Sequence, residues 1–572
     1  MKNLEIANIF SSIAQILEIK SDNLFRIRAY ERAVEILQDL DNIEEYAAAD
    51  KLTEIPGIGK DLESKIKEYL STGRIGYYED LKKEVPLGIL ELLKVPSVGP
   101  KTAKLFYDEL NIKDVATLEK FALEGKLLGL EGVKEKTVEN ILRGIDIFKR
   151  GSERIDIATA WDIAARFVSE LRALKEVKRV EVAGSLRRMK ETVKDIDILV
   201  ASNKPQKVMD VFCGCAEVKD VFAKGITKSS VLSKGGVQVD ARVVKPDSFG
   251  AALLYFTGSK NHNVKIRTIA ARRNLKVNEY GVFPVTRKKS QECLASKTEE
   301  DLYKILKMQY IAPELREDTG EVEAALKNKL PKLIELKDIK GDLHAHSNYS
   351  DGKNTIREIV DAARKKGYEY IAISDHSQSL KVARGLSIAD LKIKKKEIDS
   401  VNKRLKGFRV LFGTEVEIDS AGNIDYDDEI LKEFDFVIAA IHSGFKQSKE
   451  QLSRRIIKAC RNKNVDIIAH PTGRLWGARD SYELNFEEVF KAAKDTNTIL
   501  EINSFPNRLD LGDSLIRLAR QNGARFIINT DSHAVAHLDF MKFGVAMARR
   551  GWLTKQDVVN TLSLKDILKA RK

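Results

Sequence analysis

Cysteine is scarce in this 572-residue chain: there are four, at positions 213, 215, 293 and 460. Their number and spacing support neither a disulfide framework nor a cysteine-rich zinc site, and a reducing cytoplasm is the expected compartment. Proline is also sparse, at 11 residues, whereas apolar residues reach 43% and charged residues 32%. That balance excludes collagen-like, mucin-like and globally disordered chains. No apolar run approaches the roughly 18 residues that span a bilayer, so no membrane association is expected. The opening MKNLEIANIFSSIAQIL carries Glu5 inside an amphipathic helical pattern and does not read as a signal peptide.

At a prior of roughly 150 residues per domain the length predicts about four domains. The formal net charge is +13, which favours a polyanionic partner. It does not locate that partner: residues 1–336 hold 57 basic against 52 acidic side chains, and the remainder 41 against 33. Histidine is more telling. Seven of the eight lie between 344 and 537, so two chemistries are expected in one chain.

Residues 1–150 show helical apolar spacing almost throughout. A short phrase recurs there. Ile55-Pro-Gly-Ile-Gly59 precedes KDLESKIKEYL, and Val95-Pro-Ser-Val-Gly99 precedes PKTAKLFYDEL. A looser third copy, Leu130-Glu-Gly-Val-Lys134, has lysine where the second glycine falls and is not counted as a site. The copies start 40 and 35 residues apart, too irregular for a solenoid. A tight glycine turn before a helix presents backbone N–H groups at the positive helix end and holds a phosphate without reading bases. The phrases resemble the helix-hairpin-helix motif of DNA-repair proteins. Gly57, Gly59, Val98 and Gly99 are the implied DNA-backbone contacts; the alternative is a turn that needs glycine for geometry alone.

Near residue 150 the pattern changes to β-rich runs, RVEVAG, DIDILVA and VQVDARVV. Asp195 and Asp197 alternate with Ile196 and Ile198, which puts both carboxylates on one strand face. Asp240 sits in another strand, and three such carboxylates suit two Mg²⁺ ions about 3.5–4 Å apart. Gly184-Ser185 and Arg187-Arg188 lie just upstream and offer N–H, hydroxyl and guanidinium groups to phosphate oxygens. From about 287 to 340 the chain is polar and lysine-rich with no clear strand.

From 341 onward seven short apolar runs alternate with helical stretches: GDLHAH, YIAISDH, RVLFGTE, FVIAAIH, DIIAH, TILEIN and RFIINTDSH. This is the βα pattern of a parallel sheet or barrel, and residues 337–572 are close to a barrel's length. Candidate ligands cluster at the strand ends: His344, His346, Asp351, His376, Glu415, His442, His470, Asp531 and His533. Barrel active sites occupy that face. Nine nitrogen and oxygen ligands without cysteine suit a multinuclear Zn²⁺, Mn²⁺ or Fe²⁺ cluster that generates hydroxide and clamps a phosphoryl oxygen. Glu501, in the remaining run, reads as a group that orients a ligand. Lys381, Arg384 and Arg474 are candidate phosphate contacts, and His537 matches no ligand position.

The region from Gly184 to Asp240, together with YFTGSKNHNVKIR downstream, resembles the DNA polymerases of family X within the nucleotidyltransferase superfamily. The resemblance implies Asp195, Asp197 and Asp240 as catalytic ligands of Mg²⁺ or Mn²⁺, and Gly184, Ser185 and Arg188 on the incoming triphosphate. It implies that Tyr255, Phe256, Gly258 and Asn263 flank the nucleotide's sugar and base, with aromatic bulk excluding a 2′-hydroxyl. LKVNEYGVF, with Asn278 and Glu279, fits a thumb lobe. Two positions depart from the pattern. Met189 stands where the family usually has glycine, which bears on the phosphate loop. Gln238 replaces the arginine of the animal enzymes, which bears on activation of the 3′-hydroxyl. The first 90 residues resemble the family's lyase domain, in which a lysine forms a Schiff base at an abasic site. Lys65 and Tyr30 match that pattern, but Asp61 and Tyr77 occupy positions that are lysine in the animal enzymes. A solvated helix lysine is the alternative reading of Lys65.

The C-terminal motifs resemble the PHP domain, named for polymerase and histidinol phosphatase, with all nine positions of its trinuclear metal pattern present. The fold expected is therefore multidomain. It comprises an all-α helix-hairpin-helix region, an α+β nucleotidyltransferase palm with a small thumb lobe, and a distorted (β/α)7 PHP barrel. The boundaries read 1–85 lyase-like, 86–150 fingers-like, 151–245 palm, 246–318 thumb-like, 319–336 linker and 337–572 PHP phosphoesterase. This is the arrangement of bacterial and archaeal family-X DNA polymerases. It implies a DNA-directed gap-filling polymerase of base excision repair with a metal-dependent 3′→5′ exonuclease. Abasic-site endonuclease or 3′-phosphatase activity are further options. The implied partners are gapped or primed DNA and deoxynucleoside triphosphates, with the protein a monomer. Two alternatives stay open: a degenerate polymerase core that presents DNA ends to the phosphoesterase, and a PHP site acting on small phosphate monoesters.

Overall fold

In the computed structural model, which describes residues 2–571 except 21, 40–42, 56, 86, 94, 96, 97, 153, 286–291 and 477, the chain forms two units. The first comprises residues 1–155, 161–184 and 193–310; the second comprises 156–160, 185–192 and 311–572. The segment that bears Ser185 and Arg188 therefore groups with the second unit, not with the palm strands on either side of it. Among the described residues, no helix is long and apolar enough to cross a membrane.

The first 150 residues are helical, as their periodicity predicts. In Lys2–Ile19, Ile6, Phe10, Ile13 and Leu17 recur at helical spacing and are fully buried in a core shared with the following helices. The hairpin phrases repeat one turn. Ile58 N–H donates to Ile55 O at 3.0 Å, Val98 N–H to Val95 O at 3.1 Å, and Val133 N–H to Leu130 O at 3.1 Å. Gly59 (φ −88°) and Gly99 (φ −89°) then cap the helices Lys60–Thr72 and Pro100–Leu110. The third copy makes the same bond with Lys134 ahead of Glu135–Ser152, so the turn itself does not require glycine there. Gly57 is different: its φ of +98° favours glycine, and a Cβ there would also push aside the end of the Ile36 side chain, 2.5 Å away. Pro56, Pro96 and Ser97 of the two phrases lie outside the described residues.

The palm is a five-stranded sheet in the order Val177–Val182, Asp195–Ser202, Gln238–Val244, Lys228–Ser233 and Val218–Lys224. The Asp195 strand runs parallel to the Gln238 strand in a register that sets Asp197 beside Asp240 and Asp195 beside Gln238. Two helices, Phe249–Thr257 and Lys260–Ala271, follow, then the hairpin Leu275–Asn278/Gly281–Pro284.

In the second unit seven strands pair in parallel and in chain order: Gly341–Asp342, Tyr370–Ile373, Arg409–Glu417, Phe436–Ala440, Ile467–Ile468, Ile499–Asn503 and Arg525–Asn529. The last end meets the first through an Ala345–Ser532 bridge, with His346 N–H donating to Ser532 O at 2.8 Å. Nearly every strand residue is buried, as parallel strands covered on both faces require. Leu343, Leu411, Phe436, Ile438, Ile467 and Ile527 contribute to one core. Residues 319–336, expected as a linker, fold with this unit: Glu321–Leu326 is a helix, Ile334 is buried, and the Glu321 carboxylate accepts from the N–H groups of Asp318 and Thr319.

Candidate active sites

The palm brings its three carboxylates together by register alone. Asp197 and Asp240 are direct neighbours on parallel strands, and period two puts Asp195 on the same face. Desolvation and the nearby Asp240 carboxylate raise the Asp195 pKa above the usual carboxylate range, against the pull of Lys194 and Arg154. Carboxylates sharing a strand face resist full ionisation, and either a proton or a bound cation relieves that repulsion. Gln238 Nε2 donates to Asp240 Oδ1 at 2.9 Å, so the departure at this position orients a ligand carboxylate instead of supplying a positive charge. Gly184 adopts φ +59°, and a Cβ there would collide with the Asp197 carboxylate. The glycine is thus needed for close approach.

Downstream, Tyr255 and Phe256 end the helix Phe249–Thr257, their rings 5.1 Å apart and edge-to-face. Gly258 caps that helix at φ +68°, and Asn263 Nδ2 reaches back to Tyr255 O at 2.6 Å. The Arg242 guanidinium covers the Phe256 ring at 4.4 Å. These four predicted nucleotide contacts form one cluster. Ser185 and Arg188 belong to the second unit. There Arg188 Nε pairs with Glu317 Oε1 at 3.0 Å, and Arg550 Nη1 donates to Arg188 O at 2.7 Å. Against the cost of burial, Arg188, Arg550 and Lys190 hold Glu317 below the usual carboxylate range. Met189 adopts φ +55°, a conformation that favours glycine and that accounts for the family's usual residue at this position.

In the barrel all nine predicted ligands converge. Glu415 lies at the centre: its oxygens stand 3.3 Å from His344 Nε2, 2.9 Å from His376 Nδ1, 3.2 Å from His442 Nε2 and 3.0 Å from His470 Nε2. Asp531 Oδ1 lies 3.2 Å from His346 Nε2, and Asp351 Oδ2 lies 3.6 and 3.4 Å from the Nε2 atoms of His376 and His533. Three donor sets are close enough to hold one ion each. They are His346, Asp351, His376 and His533; His344, His346 and Asp531; and His376, Glu415 and His442. His470 (φ +27°) and Asp531 (φ +53°) hold strained backbone at these strand ends, where functional sites store strain.

The electrostatics fit a cation cluster. Despite burial, the facing imidazoles hold Glu415 and Asp531 well below the carboxylate range. Although burial opposes it, the facing carboxylates raise His344, His442 and His533, and raise His376 to about 10. His346 is pushed down to about 4 by burial and by its imidazole neighbours His533 and His376. Both ring nitrogens of His346, with Nε2 of His344 and Nδ1 of His376 and His470, are buried without a hydrogen-bond partner. Buried polar atoms of this kind call for a partner, and a divalent ion satisfies several at once.

Comparisons with known proteins match this anatomy. A helix-hairpin-helix domain model covers residues 1–75, and a SAM-like helix-hairpin-helix tandem covers 89–146. The DNA polymerase beta thumb model covers 252–317, and the PHP domain model covers 342–505. DNA polymerase/3'-5' exonuclease PolX of Bacillus subtilis is 41% identical over 569 residues, 99% of each chain. The chain belongs to the family-X DNA polymerases that carry a PHP domain. The barrel alone is also similar to smaller proteins. A probable phosphatase of Thermoanaerobacter sp. is 29% identical over 245 residues, 40% of this chain and 95% of its own. Another, of Acetivibrio thermocellus, is 31% identical over 202 residues, 34% of this chain and 78% of its own.

Several side chains of this family-X polymerase support the barrel site without being ligands. Glu501 orients His344 Nδ1 at 2.7 Å, as its strand position suggests, and accepts from His470 N–H at 2.9 Å. Glu417 is not legible as a site residue in the sequence. Its Oε2 lies 2.8 Å from His442 Nδ1 and orients that ring; its place two residues past Glu415 on one strand is the available signal. Arg508 Nε stands 3.4 Å from Asp531 Oδ2 with Nη1 buried and without a hydrogen-bond partner, and no spacing rule points to it. The fully buried Lys394–Asp375 pair, at 2.9 Å, anchors Ser347 and Ser350 beneath the Asp351 loop. Arg474 does not serve as a free phosphate contact: Glu191 and the carbonyls of Arg508 and Leu509 take its guanidinium. His537 Nδ1 accepts from His533 N–H at 3.2 Å, and its ring stacks on Phe540. Lys65 Nζ is held by Asp61 at 2.5 Å and lies 5.1 Å above the Tyr77 ring, so both departures from the lyase pattern touch it.

Proposed function

We propose that this chain fills short gaps in DNA at its palm and shortens DNA 3′ ends at its barrel, as a repair enzyme with two independent metal-dependent sites. The observation that carries the reading is the coexistence in one chain of the Asp195/Asp197/Asp240 register and the barrel cluster, in which eight residues form three donor sets and His470 approaches Glu415.

In the palm, Asp195, Asp197 and Asp240 hold Mg²⁺ or Mn²⁺, which supplies an activated 3′-hydroxyl and charge neutralisation at the leaving pyrophosphate. Gln238 fixes the Asp240 carboxylate. Tyr255 and Phe256 present aromatic bulk to the sugar, while Gly258 and Asn263 hold the shape of that turn. The hairpin turns at Gly57–Gly59 and Val98–Gly99 grip the DNA backbone. In the barrel the nine ligands hold Mn²⁺ or Zn²⁺, which supplies hydroxide near neutral pH. Glu417 and Glu501 keep His442 and His344 in the ligating tautomer. Arg508, with an unused donor and its Nε beside Asp531, would offer that donor to a phosphate oxygen. Lys65 carries no lyase role in this reading, because Asp61 takes its amine.

The test is a gapped DNA with a labelled primer in Mn²⁺, with and without nucleotides. Asp195→Ala abolishes extension and leaves shortening; His344→Ala does the reverse. Shortening that survives His344→Ala sinks the barrel assignment. The probable phosphatases that match the barrel motivate a second reading, a phosphomonoesterase. A 3′-phosphorylated oligonucleotide set against a free sugar phosphate separates the two, since preference for the sugar phosphate favours the second.

A further inference from the structure

The turn that follows the metal-site residue His376 has no part in the chemistry described above, yet its construction is specific. Leu386 N–H returns to His376 O at 2.9 Å, and Leu380, Ala383 and Arg384 make successive short-range bonds within Ser377–Arg384. Ser379 N–H donates to the Asp425 carboxylate at 2.9 Å. Gly385 permits the return, because a Cβ there would collide with Ser377 O. Ala383 and Leu386 are buried, whereas Val382 at the tip is 91% exposed, the most exposed large apolar side chain among the described residues. Arg384 adopts φ +57°, which an arginine takes only under constraint. The turn is therefore a rigid mount for one apolar side chain, tied by its backbone to a ligand of the barrel cluster.

Exposed cations accompany that side chain along the sequence. Lys381 and Arg384 flank it on the turn, and both are exposed. On the next helix, Ile388–Asn402, exposed Ile388, Lys392 and Lys396 recur every four residues and share a face. A rigid apolar tip amid exposed basic side chains has a physical match in nucleic acids. Apolar wedges between base steps unstack a duplex while cations hold the phosphates. An exonuclease that works on a duplex must separate the terminal nucleotide from its partner before the scissile phosphate reaches a recessed metal site.

We propose that the Lys381–Arg384 turn is a strand-separating wedge for DNA 3′ ends, with Val382 against the terminal base pair and the lysines of the next helix on the backbone. The inference rests on the nuclease reading of the barrel. The discriminating experiment compares Val382→Ser and Val382→Leu with wild type in Mn²⁺ on three ends: a matched duplex, the same duplex with a mismatched 3′ terminus, and a single strand. Val382→Ser slows the matched end about tenfold and the other two by less than about twofold, and Val382→Leu stays near wild type. Equal slowing on all three ends, or none on any, overturns the wedge. A second readout does not need cleavage: 2-aminopurine at the duplex 3′ terminus, bound by protein carrying His344→Ala. Its fluorescence rises on binding, and adding Val382→Ser removes most of that rise; an undiminished rise refutes the proposal. If wild type degrades none of the three ends, the nuclease reading has failed, and the fluorescence still decides the wedge.

Discussion

Replacing Gly184 by alanine perturbs the proposed palm metal site through one close contact. The backbone there has φ +59°, and an added Cβ would overlap Asp197 Oδ2 and stand only 3.1 Å from its Cγ. The left-handed conformation costs an L-residue about 1–2 kcal/mol, which lowers the melting temperature of the unit by about 2–4 °C. The larger effect is on the carboxylate. The added Cβ would stand 2.1 Å from Asp197 Oδ2; carbon and oxygen rest at about 3.5 Å, so the carboxylate oxygen must retreat by about 1.4 Å. A displacement of that size in a reacting constellation costs about 10²-fold in rate, or about 2.7 kcal/mol of barrier. Primer extension on gapped DNA is expected to fall about a hundredfold, while 3′ shortening by the same preparation holds. Gly214→Ala is the control: nothing lies within 4 Å of a Cβ at that helix end, and its φ is ordinary. Full extension by a Gly184→Ala protein that melts within a few degrees of wild type would refute the reasoning, since Asp197 would then not need its place.

Other consequences follow from the barrel. Glu501→Gln loosens His344, and Mn²⁺ affinity measured by titration is expected to fall about 10–100-fold without loss of the fold. His376, raised to about 10 by Glu415 and Asp351, keeps its proton through the neutral range in the metal-free protein. Metal must displace that proton, so the apparent Mn²⁺ affinity rises with pH across the neutral range and levels off above about 10, by up to about tenfold per pH unit for each proton released. An affinity independent of pH across this window contradicts that linkage. Lys394→Met strands the fully buried Asp375 and is expected to destabilise the second unit by about 3–5 kcal/mol in thermal or urea unfolding. Asp61→Asn removes the partner of the Lys65 amine; borohydride trapping on abasic DNA then reports whether the amine becomes available.

The ligand sets are legible in the sequence because their chemistry is tied to local periodicity. Asp195 and Asp197 share a face by the two-residue repeat of a strand, and most barrel ligands end short apolar runs that alternate with helical stretches; Asp351 is the exception, in the polar segment after His346. The residues that orient those ligands are harder to read. Glu417 and Glu501 look like ordinary strand acids, and what distinguishes them is a 2.7–2.8 Å approach to a ring contributed by a different strand.

What apolar period and residue type determined in the sequence was therefore the element order, a parallel sheet or barrel and both candidate metal sets; the resemblance to the PHP domain chose the barrel. The tertiary structure alone decided which side chains remain available. Arg474 and Arg188 read alike as phosphate contacts, yet each meets a carboxylate distant in sequence, Glu191 and Glu317 respectively. Lys65 meets Asp61 one helical turn away, while the exposed tip at Val382 meets nothing of its own chain that would bury it. Pairing across such separations depends on where the chain returns in space, and no local pattern encodes it.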